Sequence, residues 1–191
     1  MAIMPHRGLA NSVAVAVLAL ALGGVSNALG AFEGFVFNQL SWQFAGQLSA
    51  GKFEEAEKTV LAMLRLAEGP LREDPSWLAS ALIKQGNLRR EQGRYAEAEQ
   101  HYQRSLEIRE KLLGPEHLDV ATTLNNLGVL YSAQARYAEA QPLYQRALAI
   151  REKLLPPTHK DVGQTLNNLA VLYQDQARYA EAEPLDRKSV V

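Results

Sequence analysis

Few side chains in this 191-residue sequence could act on a chemical bond. There are four histidines, His6, His101, His117 and His159, and no cysteine. Without cysteine there is no disulfide, thiolate metal site, cysteine nucleophile or lipid-modified cysteine. His117 and His159 each follow a proline (Pro115, Pro157) by two residues, so they read as one loop position used twice. Metal ligands must converge on one point, and residues spread along a repeating chain do not. Each is expected to be a loop or helix-capping residue, and no metal is expected. The acids Glu97 and Glu99 lie in a block that also recurs, which points to surface rather than to two carboxylates with separated pKa values. No Ser/His/Asp constellation, glycine-rich phosphate loop or His-x-x-x-His pair occurs. The expectation is a chain that is not an enzyme, with no catalytic residues and no cofactor.

The composition is that of a folded protein: 47% hydrophobic, 21% charged, net charge -1. So small a net charge gives no general attraction to nucleic acid, and no nucleic-acid partner is expected. Residues 1–30 read as a signal peptide. Arg7 is followed by an uncharged stretch over 9–25, then by the small, turn-prone run from Ser26 to Ala31. Cleavage is expected after Gly30, with Ala28 as the alternative site. The rival reading is a retained N-terminal anchor, although about 17 residues is short for a bilayer span. The first reading implies a secreted or periplasmic protein, the second a membrane-anchored one. A membrane enters only if the segment is retained.

The elements that carry these residues come in repeats. Residues 93–134 and 135–176 align without a gap and agree at 28 of 42 positions. Phe53, Tyr95, Tyr137 and Tyr179 are 42 apart, as are Ala56, Ala98, Ala140 and Ala182, and Leu40, Leu82, Leu124 and Leu166. Val120, Leu124, Leu127 and Tyr131 share one face of a helix, and so do Tyr137, Ala140, Tyr144, Ala147, Ile150 and Leu154. Each unit is therefore two helices. The second is expected to show solvent a charged face with Glu139, Gln145, Arg146, Arg151, Glu152 and Lys153. Gly114-Pro115 and Pro156-Pro157 should end it, with Asp119 and Asp161 capping the next helix. Gly128, Ala140 and Ala147 are expected at the closest approach of paired helices, where a large residue in place of Ala140 should cost about 1–3 kcal/mol. Such units bury their apolar faces only by stacking.

Leu127, Gly128, Tyr131, Ala140, Tyr144 and Ala147, continued by Leu169, Ala170, Tyr173 and Ala182, resemble a tetratricopeptide repeat. The 42-residue period is similar to the kinesin light chain subtype. The resemblance implies an all-α fold, an α-solenoid of stacked helix-turn-helix repeats over 31–191. The repeats fall at about 36–76, 77–118, 119–160 and 161–191, the last incomplete. Some positions depart from the pattern. Phe44 replaces the small residue, Val60 and Met63 replace the aromatic and the alanine, and Gln85, Arg89 and Ser105 alter the second repeat. Pro142 and Pro184 should bend the second helices. Residues 186–191 abandon the pattern, and Asp186 and Ser189 stand where an aromatic and an alanine belong. They read back into DNA, stop codon included, as a common sequencing adapter. They are expected to be artefactual and the natural protein to continue; a frameshift or a worn final repeat is the alternative. If the natural array is longer, this chain exposes its last apolar face and is expected to be poorly stable or to self-associate through that end.

The resemblance also implies a groove lined by the first helices. Its expected residues are Asn87, Arg90, Thr122, Asn125, Val129, Ser132, Gln164, Asn167, Val171 and Gln174, with Ser80 and Ile83 one repeat back. Asn125 and Asn167 form a ladder, and an amide can pair with any peptide backbone. Arg90 and Lys84 lean towards an acidic peptide. The partner is therefore a protein or peptide, and the function a scaffold or adaptor. The alternative is the recognition arm of a longer enzyme or signalling protein, such as one with a caspase-like peptidase domain.

Overall fold

Apolar residues at helical spacing, with turn-forming residues between the runs, give a chain of helices and short turns. A computed structural model describes residues 25–189, with side chains from residue 30. Eight helices and no strand occur among the described residues. They are α1 (Val25–Ser49), α2 (Phe53–Glu68), α3 (Pro75–Glu91), α4 (Tyr95–Leu113), α5 (Leu118–Ala133), α6 (Tyr137–Leu154), α7 (Lys160–Asp175) and α8 (Tyr179–Ser189). Residues 1–24, which hold nearly all of the signal or anchor segment, lie outside the described residues, as do Val190 and Val191. The turn expected from Ser26 to Ala31 is helical instead, because α1 begins at Val25. No proline interrupts that stretch, and its alanines carry the helix through Gly30. Among the described residues no helix is long and apolar enough to cross a membrane.

The described residues divide into two compact units, one up to residue 84 and one from residue 85, and the division falls within α3. In the first unit α1 packs on α2. Phe37, Met63, Ala67, Leu71 and Ala81 form a buried cluster with Leu40, Leu64 and Trp77 at its margin. The Phe37 and Trp77 rings meet edge to face at 4.9 Å, a preferred aromatic geometry.

In the second unit α5 packs on α6 and α7 on α8 within repeats, and α4 on α5 and α6 on α7 between them. Leu127, Gly128, Tyr131, Ala140, Tyr144 and Ala147 are all buried. A Cβ on Gly128 would lie 2.6 Å from the Tyr144 ring, and one on Gly86 2.5 Å from the Tyr102 ring. The small residue makes room for the ring across the helix pair. The other repeats keep that balance of sizes. The position of Gly128 and Tyr144 is filled by Phe44 and Val60 in the first repeat, both buried, and by Ala170 and Asp186 in the last.

The turn between paired helices repeats as well. Gly51, Gly93, Ala135 and Ala177 are 42 apart and take φ of 69°, 73°, 56° and 59°. This left-handed conformation costs an alanine about 1–2 kcal/mol. Gly114, also left-handed, ends α4, and the Pro156-Pro157 turn follows α6, as expected. α6 runs unbroken through Pro142, and α8 through Pro184.

Two expectations about polar residues fail. Asp119 and Asp161 do not cap: His117 and His159 do, each Nδ1 accepting from the backbone N–H two residues on, at 3.1 and 3.2 Å. The chain is extended at each histidine, which aims the ring at the open helix end. The aspartates instead occupy the first turn, where the helix dipole favours a negative charge. Arg151 is not on a solvated face but 3% exposed, and Arg109, 42 residues earlier, is also buried. Each guanidinium donates to a backbone carbonyl and a threonine hydroxyl of the following repeat. Arg109 bonds Asp119 and Thr123, and Arg151 bonds Asp161 and Thr165. Those acceptors are what make a buried cation tolerable.

Candidate functional site

The groove residues expected from the sequence divide by repeat. On α5, Thr122, Val129 and Ser132 are half-buried or buried and Asn125 is 4% exposed. On α7, the equivalent Gln164, Val171, Gln174 and Asn167 are all exposed. Asn125 and Asn167 are therefore not a matched ladder on one surface. The carbonyl of Asn125 accepts from the Asn168 amide at 3.0 Å, so these two asparagines stitch neighbouring repeats. α7 rests on α5, which covers Asn125. The Thr122 hydroxyl donates to Leu118 in its own helix.

A second group lies at the end of α3 and on the helices that follow. Asn87 and Arg90 are half-buried. The Tyr102 hydroxyl of α4 donates to Asn87 Oδ1 at 2.6 Å, so what Asn87 offers a ligand is its amide NH2. Burial pushes the Tyr102 phenol up to about 12, with the Arg90 charge working against it. Burial likewise lifts Tyr144 to about 12, and Ser132 and Arg90 oppose that rise. Arg90 is thus close to both phenols, which stay protonated donors near neutral pH. Its own guanidinium pairs with Glu91. The two phenols and the Ser132 hydroxyl are buried, so the Asn87 amide and the Arg90 guanidinium are the donors of this group left at the half-buried edge. In the sequence Tyr144 is a packing residue of its helix face, and Tyr102 stands 42 residues before it. Their role as buried rings with polar tips is legible only from what the tip touches. Lys84 and Ile83 belong to the first unit, where Lys84 lies 5.9 Å from the Phe44 ring centre and Ile83 is buried.

Ion pairs tie the repeats together. Arg136 stacks on the Tyr131 ring at 4.1 Å and donates to Glu99 (2.8 Å) and Glu139 (2.7 Å). Tyr131 also donates to Glu99. The Arg136 bonds hold Glu139 below the usual carboxylate range. One repeat on, Arg178 stacks on Tyr173 and bonds Gln141 and Glu181. Glu99 is thus a junction residue. Among the described residues no group of three histidines or acids is placed to hold a metal.

The helix pairs, the Gly–Tyr contacts and the 42-residue spacing agree with the family comparison. The tetratricopeptide repeat profile matches residues 77–153 and 133–190, more than half of the chain. The chain belongs to the tetratricopeptide repeat family. No curated protein matches it. Among solved structures it is similar to BtubC (BKLC) from P. vanneervenii, with TM-score 0.74 and 24% identity over 96% of this chain and 71% of that one. It is also similar to a putative kinesin light chain from Podosopora anserina with nearly identical repeats. One crystal structure of that protein, a point variant, gives TM-score 0.62 at 23% identity, covering 98% of this chain and 95% of the other. A second gives 0.60 at 23% identity, covering 97% and 95%. At this identity the likeness is one of fold. The structural neighbours are kinesin light chain-like tetratricopeptide proteins, and the fold is an all-α repeat array. Tetratricopeptide arrays are in general scaffolds for protein–protein interaction without catalytic activity.

Proposed function

We propose that this tetratricopeptide chain is an exported adaptor that binds an extended peptide segment of a partner protein. The observation that carries the proposal is the half-buried pair Asn87 and Arg90 at the end of α3, where the buried Tyr102 hydroxyl holds the Asn87 carbonyl and leaves its amide NH2 for a ligand. Amide and guanidinium donors held on a packed helix suit the carbonyls of an extended backbone, which present acceptors at regular intervals. The packed rings beneath them keep those donors in place before binding, which lowers the ordering cost of association. Export is supported by the order of a basic start, an apolar run and small residues over 1–31.

The test is a peptide-display selection on the purified chain, followed by titration of enriched peptides against variants. Arg90→Ala and Asn87→Ala are expected to weaken binding about tenfold or more, as loss of a charge-assisted or amide bond does. Gln145→Ala, on an exposed position of α6, should leave it unchanged. Equal affinity for all three, or no enrichment of any peptide, would remove the proposal. N-terminal sequencing of the protein expressed in a bacterium tests export, and a mature start at Ala31 is the expected result.

A further inference from the structure

We propose that this chain docks on a lipid bilayer through the outward face of α1, with that helix lying along the membrane surface. In a helix, residues 32, 35, 39, 42 and 46 fall on one stripe about 21 Å long. Here they are Phe32, Phe35, Gln39, Trp42 and Gly46. Trp42 is 79% exposed and Phe32 45%; Gln39 and Gly46 are exposed too, and Phe35 is half-buried. A Cβ on Gly46 would meet nothing within 4 Å. The opposite side of α1 carries Phe37 and Phe44, both buried.

The stripe lacks the residues by which one repeat stacks on another. Thr123 and Thr165, which receive the arginine of the preceding repeat, correspond to Gln39 in the 42-residue register. The buried Leu130 and Leu172 correspond to Gly46. Trp42 stands where the later repeats have Asn126 and Asn168, and Phe32 where they have Glu116 and Thr158. Rings thus replace polar side chains on this face of α1. A second copy of the chain fits poorly, because one helix stripe is well below the area of a stable interface. A bilayer needs no matching surface. The charge pattern selects it. Between Arg7 and Lys52 lie 44 residues with one charge, Glu33, where the chain average of 21% would give about nine. Tryptophan and phenylalanine beside uncharged amides are side chains that settle at headgroup level. The apolar stretch over 9–25 leads directly into α1 in the sequence. The stripe has no cation, so docking needs no anionic lipid. The peptide reading rests on Asn87 and Arg90 of α3, so either reading can fail alone.

Trp42 and Trp77 are the two tryptophans of the sequence, so Trp77→Phe in the full chain makes Trp42 the reporter. With phosphatidylcholine vesicles its emission should shift to the blue. Lipid brominated near the top of the acyl chains should quench about half of it or more, the depth expected of a surface helix. Added phosphatidylglycerol or high salt should change the quenching less than about twofold. Phe32→Ser in the same background should lower the quenching about twofold or more, with circular dichroism checking that the helices are kept. Trp42→Phe leaves Trp77, which packs on Phe37, and should show far less quenching. Vesicle binding with Trp42 unquenched would assign the association to residues 9–25 and overturn the proposal. A chain that binds no vesicles, or one that binds only anionic vesicles, would also overturn it. So would a blue shift of Trp42 that grows with protein concentration in the absence of lipid, which would assign the stripe to a second copy.

Discussion

Among single residues, the packing is governed by one exchange of volume, a missing Cβ for a ring. Gly128→Ala would drive its new carbon to 2.6 Å from a Tyr144 ring that is itself buried. The ring has nowhere to move, so urea denaturation should show a loss of about 1–3 kcal/mol. Gly128→Ala combined with Tyr144→Leu should recover part of it. Ala170 tolerates its methyl because Asp186 stands where the ring would be. The opposite sign applies at the turns. Ala135→Gly and Ala177→Gly relieve a left-handed φ worth about 1–2 kcal/mol, less about 0.5–1 kcal/mol for the freedom glycine gains when unfolded. Each should raise the denaturation midpoint, with a net gain of about 0.5–1 kcal/mol.

Among the helices, each first helix of the last two repeats is anchored twice. His159 caps the N-terminus of α7, and Arg151 of the preceding helix bonds the Asp161 carbonyl of its first turn and the Thr165 hydroxyl of its second. The accepting Nδ1 places the ring proton on Nε2. His159→Ala removes the acceptor and should cost about 1 kcal/mol, whereas His159→Asn keeps a capping oxygen and should cost little. Thr165→Val takes one acceptor from a buried guanidinium and should cost about 1–3 kcal/mol. Amide hydrogen exchange should then show the extra opening confined to the first two turns of α7.

Across the second unit as a whole, the Arg136 and Arg178 clamps recur on the outside of the helix pairs and link one repeat to the next. Hydrogen bonds from Arg136 and Arg178 lower the pKa of Glu139 and Glu181 in the folded state. A lowered folded pKa means the bond stabilises fully above the ordinary glutamate pKa, and the contribution is lost as pH falls through the folded value. Both carboxylates are exposed, so the stabilisation is small and screened by salt. Carboxyl NMR should give Glu139 a titration midpoint below that of a free glutamate. Arg136→Ala should raise it and flatten the acid limb of the stability curve.

The helices, their pairing and the repeat were all legible in the amino-acid order. They follow from local periodicity and from residues such as Gly128, Tyr131 and Ala140, whose spacing is copied every 42 positions. The capping or loop role of His117 and His159 was legible too, because the same residue recurs after the same proline turn. Which polar residues lie inside was not. Arg151 sits in a run of charges and reads as solvated, yet it is buried because Thr165 and the Asp161 carbonyl, from the next repeat, are there to receive it. Asn125 and Asn167 hold the same place in the repeat, and it took the stacking of α7 on α5 to cover one and leave the other exposed. Burial of a polar group depends on a partner distant in sequence, and helical periodicity carries no information about that partner.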